Sequence, residues 1–162
     1  MVRVAKLSAE PALVDQARRL LDDYLRLPDA WPGPVPEELP EPLRAILDAF
    51  PGAARPPTGD VLVAIGEHPV GAVHVVRHDP ATARLERMFV REDARRCGVG
   101  RELLSAAVGA ARSLGYHRLV LDVIAERADA TNLYLQHGFT TIAAYADYAR
   151  PMTFLGLDLQ AG

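Results

Sequence analysis

The sequence predicts an α/β fold in which one mixed β-sheet packs against helices. Three observations lead to this prediction. The chain has 162 residues, a length that suits one domain with its own hydrophobic core. Its composition, 49% apolar and 24% charged, is close to the globular average and argues against a disordered, fibrous or coiled-coil protein. The hydrophobic period also switches along the chain between the spacing of helices and that of strands.

The first third of the chain predicts one strand followed by two helices. Residues 2–7 alternate between apolar and polar and predict the strand, after which Ser8 is expected to cap the first helix. The apolar stripe of that helix comprises Leu13, Ala17, Leu20, Leu21, Tyr24 and Leu25. Nine of the 13 prolines fall within 28–57, which predicts loops around one short helix at 39–50. We expect this stretch to elaborate a single domain over residues 1–162.

The rest of the chain predicts strands first and then an alternation of helices and strands. Residues 61–65, 70–76 and 84–90 have strand patterns separated by turn residues, and they predict an antiparallel meander. The elements that follow are a helix at 101–114, a strand at 117–123, a helix at 128–137, and strands at 139–145 and 152–159. The order therefore supports one layered sheet with seven strands.

Charge and cysteine content exclude several classes of protein. The net charge of −3 disfavours a nucleic-acid partner, because such proteins need a basic surface to neutralise phosphates. No apolar run approaches the roughly 20 residues of a membrane span, so no membrane partner is expected. The N-terminus lacks a secretory pattern and Cys97 has no second cysteine to pair with, which favours a cytoplasmic location. The histidines lack metal-ligand spacing, so no metal is expected.

A glycine- and arginine-containing loop between a strand and a helix is the most informative segment. It reads Arg95-x-x-Gly98-x-Gly100 and leads directly into the helix at 101–114. Glycine lets the backbone approach a ligand closely, and the first N–H groups of a helix have no internal partner. These features predict an anion site that suits a pyrophosphate. The segment lacks the Lys-Ser/Thr of a Walker loop and the three glycines of a dinucleotide-binding fingerprint.

A second motif lies beyond the phosphate loop and makes the pattern specific. It consists of Asn132, Tyr134, Gly138 and Phe139 at the end of a predicted helix. Together with the phosphate loop, it resembles the GNAT family of acyl-CoA N-acyltransferases over roughly residues 61–159. The stretches Leu121-Asp122 and Ile142-Ala143-Ala144-Tyr145 resemble a bacterial small-amine-type subgroup, in which two prolines stand where this chain has alanines.

The resemblance implies a fold and a reaction. The fold is a central, mostly antiparallel sheet of about six to seven strands, flanked by helices and splayed in the middle. The reaction is direct attack of a primary amine on acetyl-CoA, or on another short acyl-CoA, without a metal. The residues expected to bind this co-substrate are Met88, Phe89, Val90, Arg95, Arg96, Cys97, Gly98, Val99, Gly100, Arg101 and Asn132. Those on the strand are expected to act through the backbone groups of Met88 and Val90.

The resemblance makes Tyr134 the candidate general acid for the leaving thiolate, with plain aromatic packing as the alternative. Glu86 is the first candidate base, because strand alternation is expected to put it on the same face as Met88 and Val90. Its alternative is a surface ion pair with an arginine. His74 on the adjacent strand is the second candidate, and water is the third.

The acceptor is expected to be a small amine or an amino acid. Candidate substrate contacts are Trp31, His74, Asp122 and Tyr145, and Tyr148 is a further candidate for an aromatic wall. A protein N-terminus or lysine is the second acceptor class, and the negative net charge disfavours a tRNA. A homodimer is also a candidate state. The rival function is a non-catalytic acyl-CoA sensor on the same fold, which would bind the co-substrate without turnover.

Overall fold

The computed structural model describes residues 2–27 and 37–160, which form seven strands and four α-helices. In chain order these are β1 (Arg3–Lys6), α1 (Val14–Leu25), α2 (Glu41–Asp48), β2 (Asp60–Ile65), β3 (Pro69–Asp79), β4 (Thr82–Val90), α3 (Val99–Ser113), β5 (Arg118–Ile124), α4 (Ala128–Gln136), β6 (Thr140–Thr141) and β7 (Met152–Asp158). The predicted order of strands and helices is confirmed. Trp31 and most of the proline-rich loop before α2 lie outside the described residues.

All seven strands belong to one sheet with the order β1-β2-β3-β4-β5-β7-β6. Every neighbouring pair is antiparallel except β4 and β5, which run parallel. The parallel ladder is short and ends where Arg84 pairs with Val120. Beyond that point residues 85–90 have no partner on the β5 side, so the two strands splay apart. The mixed, mostly antiparallel sheet and its opening agree with the predicted fold class.

The sheet separates two apolar cores. Helix α3 buries Leu103, Leu104 and Ala107 completely against one face of the strands. Helix α1 buries Ala17 and Leu20 against the other face. Helix α4 joins the α3 side, while α2 packs onto α1 at the opposite side. Burial of these stripes, at about 25 cal/mol for each Å² of apolar surface, holds both layers onto the sheet.

A bulge interrupts the ladder between β3 and β4 beside the opening. Residues 72–74 of β3 lie opposite residues 86–89 of β4, so β4 carries one extra residue. Within this stretch Arg87 has a φ of 55°, in the left-handed region that non-glycine residues rarely adopt. An extra residue of this kind bends the strand and changes the side to which later side chains point.

The bulge overturns the predicted orientation of Glu86. Leu85 packs into the α3-side core, so its neighbour Glu86 faces the α1 side. Phe89 packs into the α1-side core, whereas Met88 and Val90 pack against the α3-side core. Simple alternation would have put Glu86 on the face of Met88 and Val90. That prediction is wrong, because the extra residue shifts the alternation by one position.

Ser8 does not cap α1 as predicted. Its backbone N–H donates to the carboxylate of Asp60 at 3.1 Å, and its hydroxyl donates to the second oxygen of the same group. Asp60 is buried, so these bonds compensate the loss of water around its carboxylate. Helix α1 instead begins at Val14, after a 3-10 turn at Pro11–Leu13, without a side-chain cap.

The strand predicted at 139–145 is much shorter than expected. Only Thr140 and Thr141 pair with β7, as β6. One further bond, from the N–H of Ile142 to the carbonyl of Phe154 at 2.9 Å, ends the pairing. The chain then leaves the sheet edge as a loop that returns toward β5. This loop carries Tyr145 and Tyr148, both of which bind Asp122.

Candidate active site

The loop between β4 and α3 presents a row of unused backbone donors. The N–H groups of residues 96–101 have no hydrogen-bond acceptor among the described residues. Arg96 and Gly98 adopt left-handed φ values of 63° and 80°, which turn the chain into the first turn of α3. Apart from Gly98 itself and its two chain neighbours, no atom of the described residues lies within 4 Å of a Cβ built on Gly98, so this side of the loop is open. Unused N–H groups at the positive end of a helix suit an anion.

A hollow of about 640 Å³ lies at this helix end. Its lining includes Arg96, Cys97, Gly98, Gly100 and Arg101 from the loop. Leu133 of α4 closes one side, and a Cβ on Gly100 would lie 3.3 Å from its Cδ2 atom. The structure therefore brings together the glycines and two of the arginines that the sequence singled out.

Two other predicted loop residues serve the protein itself. The Nε atom of Arg95 donates to the carbonyl of Val90 at 2.9 Å, which fastens the loop to the end of β4. Val99 is buried in the α3-side core, so only its backbone N–H is available to a ligand. The positive charge beside the hollow thus comes from Arg96 and Arg101, which flank the open amides.

The opening between β4 and β5 continues from this loop. Along residues 85–90 the edge of β4 that faces β5 lacks ladder partners. Backbone groups at such an edge can pair with an extended ligand as a further strand would. Met88 and Val90 are half-buried on the α3 side of this edge, whereas the side chain of Phe89 lies on the other side.

Tyr134 lies beside the opening. It belongs to the α3-side core, while Tyr24 packs in the α1-side core, yet the two phenols interact electrostatically. The α3-side core also contains Leu85 of β4 and Leu121 of β5, so Tyr134 lies on the α3 side of the two strands that part. Burial, followed by the Tyr24 phenol, raises the pKa of Tyr134 to about 12, although Arg127 opposes the shift. The Tyr134 ring also packs edge to face against Phe139, with 5.8 Å between the ring centroids.

Asn132 is exposed and lies away from Tyr134. Residues two apart on a helix are separated by about 200°, so the two side chains occupy different faces of α4. Leu133 between them lines the hollow at the start of α3. Asn132 is accessible to a ligand that occupies this side of α4, and its predicted contact with the co-substrate stays a prediction.

Glu86 is held by two guanidinium groups. Arg84 donates through Nε at 3.1 Å and through a second nitrogen to the same carboxylate oxygen. Arg87 donates to the other oxygen at 2.6 Å. All three side chains are largely buried, with 21–30% of their surface exposed. Both carboxylate oxygens of Glu86 are therefore engaged by guanidinium groups.

His74 lies beside Glu86 in the register of β3 and β4, on the α1 side of the sheet. Its ring is 5.8 Å from that of Phe50, and only 3% of the residue is exposed. Burial, with a smaller effect from the charge of Arg87, lowers the pKa of His74 to about 3. The imidazole is therefore neutral and weakly basic at neutral pH.

Asp122 faces the same side as Glu86, across the opening. Its Oδ2 atom accepts hydrogen bonds from the hydroxyls of Tyr145 at 2.7 Å and Tyr148 at 3.1 Å. Burial and the bond to Asp122 raise the pKa of the Tyr145 phenol, which stays protonated. Phe154 meets the Tyr145 ring edge to face and stacks on the Tyr148 ring, so it supports both phenols beside Asp122.

Sequence reasoning missed Arg84, Arg87 and Tyr24. Arg84 had a signal, because strand alternation puts it on the same face as Glu86 two residues later. Arg87 had none, because its contact depends on the bulge. Tyr24 fitted the apolar stripe of α1 and was assigned to the core, since no local pattern reveals the opening opposite it.

The family model described as the acetyltransferase (GNAT) family matches residues 17–139. The chain belongs to the GNAT acetyltransferase family. An uncharacterized N-acetyltransferase from Schizosaccharomyces pombe is 29% identical to this GNAT chain over 140 residues, which cover 83% of the chain and 81% of the relative.

Solved GNAT structures share the fold. A GNAT acetyltransferase from Staphylococcus aureus superposes with a TM-score of 0.75 at 16% identity, covering 98% of this chain and 99% of that one. An acetyltransferase from Streptococcus agalactiae superposes with a TM-score of 0.73 at 18% identity, covering 97% and 98%. At these identities the likeness establishes the fold and leaves the acceptor open.

GNAT enzymes generally use acetyl-CoA, and the residues of this chain fit that co-substrate. The open amides of residues 96–101 suit its diphosphate, and Arg96 and Arg101 add compensating charge. The unpaired edge of β4 suits the amide-containing arm that carries the thioester. The described part of the chain holds no group of three or more His, Cys, Asp or Glu side chains arranged to bind a metal. Among the helices of residues 2–27 and 37–160, none has the length and apolarity that crossing a membrane requires.

Proposed function

We propose that this GNAT acetyltransferase transfers an acetyl group from acetyl-CoA to the primary amine of a small molecule. The observation that carries the proposal is that Tyr134 belongs to the α3-side core against which Met88 and Val90 of the open β4 edge also pack. The α3 side of this opening leads to the anion hollow, and the α1 side leads to the polar groups around Asp122. A co-substrate and an acceptor can therefore meet from opposite sides.

Acetyl-CoA supplies a thioester whose carbonyl carbon is attacked by the amine nitrogen. The backbone N–H groups of residues 96–101 bind the diphosphate, and the free edge of β4 around Met88 orients the arm. Asn132 is proposed to bind the same arm from α4. These contacts fix the thioester without any charged side chain at the reacting carbon.

Tyr134 is proposed to donate its hydroxyl hydrogen bond to the sulfur that leaves. Because burial raises the pKa of Tyr134 to about 12, the phenol is neutral at the pH of the reaction and its hydroxyl can donate a hydrogen bond. The developing thiolate is stabilised by this hydrogen bond and takes up a proton from water after it departs.

Water is the proposed acceptor of the proton that the amine loses. Glu86 is paired with two arginines, and the low pKa of His74 makes its imidazole a weak base. Glu86 is proposed to fix Arg84 and Arg87 on the acceptor side. His74 is proposed to fill space beneath them.

The test is release of free CoA thiol on mixing the protein and acetyl-CoA with a panel of primary amines, amino acids and peptides. We expect release that depends on an amine, together with a product bearing one acetyl group. Binding of acetyl-CoA without acceleration by any amine would contradict the proposal and favour the sensor function. Turnover of peptides alone would move the acceptor to the protein class.

A further inference from the structure

Six polar side chains on the α1 side of the opening form two hydrogen-bonded groups, here together called the acceptor cluster. Its members are Arg84, Glu86, Arg87, Asp122, Tyr145 and Tyr148. The strand register links the β4 half of the cluster to the Asp122 half, because Arg84 pairs with Val120, two residues before Asp122. The cluster thus spans both strands.

The register puts this cluster at the mouth of the opening. Arg84 and Val120 form the last pair of the parallel ladder. Glu86 and Asp122 come two residues later on their strands. Because side chains two residues apart point to the same face, both lie on the α1 side of the sheet, where the strands part. The cluster therefore borders the point at which an acceptor amine must enter to reach a thioester beside Tyr134.

The basic half of the cluster has donors to spare. Glu86 accepts from Nε and Nη2 of Arg84 and from Nη1 of Arg87. Nη1 of Arg84, and Nε and Nη2 of Arg87, have no partner among the described residues. These nitrogens are not shielded from solvent, so water or a ligand can reach them. One carboxylate shared by two guanidinium groups leaves one positive charge uncompensated.

The acidic half has an acceptor to spare. Both phenols donate to Oδ2 of Asp122, and Oδ1 has no partner among the described residues. Oδ1 of Asp122 is likewise accessible to solvent. Two donors on one oxygen fix the orientation of the carboxylate and leave the other oxygen, with its negative charge, directed to a ligand.

We propose that the acceptor is a small zwitterion of the amino-acid type, with its amine and carboxylate close together. This inference rests on the proposed acetyl transfer and names its substrate class. The carboxylate binds the spare donors of Arg84 and Arg87, which suit the two oxygens of a planar anion. The ammonium group binds Oδ1 of Asp122 and is delivered to the opening, where it loses a proton to water before attack. Tyr145 and Tyr148 act as positioning residues for Asp122.

The opposite charges of the two halves are the reason for this choice. A simple amine would leave the spare guanidinium charge without a counter-ion in a half-buried site. A peptide N-terminus has an amide where the zwitterion has a carboxylate, so it would lose the same contacts. Electrostatic attraction is strengthened where side chains are mostly shielded from water, so these differences affect acceptor choice.

The experiment compares matched acceptors that share one side chain: an amino acid, its carboxamide and its decarboxylated amine. We expect kcat/KM to be about 10- to 100-fold higher for the amino acid, because a charge-assisted pair is lost in the other two. Equal or better use of the decarboxylated amine would overturn the inference while leaving acetyl transfer intact.

Two variants locate the preference. Arg87→Asn removes the guanidinium, and asparagine tolerates the left-handed φ at this position. We expect it to reduce the preference for the amino acid at least 10-fold through acceptor KM, with acetyl-CoA KM unchanged. Asp122→Asn keeps an oxygen for the two phenols and should raise KM for all three acceptors. Arg77→Gln, an exposed arginine of β3 outside the cluster, is the matched control and should change neither.

A binding measurement separates the two proposals. Calorimetry of the amino acid and its decarboxylated amine is carried out on the protein saturated with CoA. Tighter binding of the amino acid, lost in Arg87→Asn, supports the zwitterion site even if no acceptor is acetylated, in which case the proposed activity fails. Equal binding of both compounds contradicts the zwitterion site whatever the activity.

Discussion

Replacing Tyr134 by phenylalanine removes one hydroxyl from the opening of the sheet and keeps the ring. The ring packs edge to face against Phe139 and is 7% exposed, so phenylalanine preserves the apolar contacts. The change therefore isolates the hydrogen bond that we propose Tyr134 makes to the leaving sulfur. Tyr134→Phe should bind acetyl-CoA with unchanged affinity, because the diphosphate contacts come from residues 96–101.

The size of the effect follows from the charge state of the phenol. With its pKa raised to about 12, full proton transfer to a thiolate is uphill, so the hydroxyl contributes mainly as a hydrogen-bond donor. A hydrogen bond to a charged group contributes about 1.5–3 kcal/mol, and each 1.36 kcal/mol is a factor of ten in rate. We therefore expect kcat to fall about 10- to 150-fold.

The pH dependence follows from the same pKa. A raised phenol pKa means that the neutral form persists below about pH 12, and that donation is lost only as the pH rises through that value. The kcat of the wild-type enzyme should therefore not decline between pH 8 and pH 10. A decline centred near pH 10 that is absent in Tyr134→Phe would show that the phenol is not shielded as the structure has it.

The assay is steady-state release of CoA thiol with a saturating acceptor, alongside calorimetric binding of acetyl-CoA. Tyr116→Phe is the matched control, because the Tyr116 hydroxyl donates to the carbonyl of Thr58 at 2.6 Å, outside the proposed site. It should cost about 0.5–1.5 kcal/mol of folding free energy and leave kcat unchanged. A kcat of Tyr134→Phe within twofold of the wild type would refute the donor role.

Three further predictions concern stability and the phosphate loop. Because burial lowers the pKa of His74 to about 3, the unfolded chain binds a proton below pH 6.5 that the native state does not bind. Urea unfolding should therefore show about 2 kcal/mol of stability lost between pH 7 and pH 5, and His74→Gln should lack that share of the loss. Gly98→Val forces a β-branched residue to a φ of 80° and projects a side chain over the open amides, so acetyl-CoA KM should rise at least 10-fold. Gly109→Ala within α3 is the control, and an unchanged KM in Gly98→Val would argue against an anion at the loop. Ser8→Ala removes one donor to the buried Asp60 carboxylate and should cost about 1–3 kcal/mol in urea unfolding, whereas a neutral result would mean that water replaces the hydroxyl.

The elements of the fold could be predicted because each is encoded by local periodicity. The apolar stripe of α3 and the continuous apolar runs of β2 and β3 are visible in a few residues and predict their own burial. The anion loop was equally local, since Gly98 and Gly100 stand directly before the helix whose N–H groups they expose. Ser8 was misread because its partner Asp60 is distant in sequence: the hydroxyl donates to this buried carboxylate, whereas a helix N-cap would have to accept a bond from a backbone N–H group.

What the sequence by itself determined is the set of helices and strands, the family motifs and the open amides before α3. Only the tertiary structure decided the acceptor side. The bulge at Arg87 turns Glu86 away from Met88 and adds Arg87 to its pairing with Arg84, and the short pairing of β6 frees the loop that brings Tyr145 and Tyr148 to Asp122. The physical reason is that local patterns record the period of a single segment. A bulge, a splayed pair of strands and a charge cluster arise from the register between segments, which no single segment specifies.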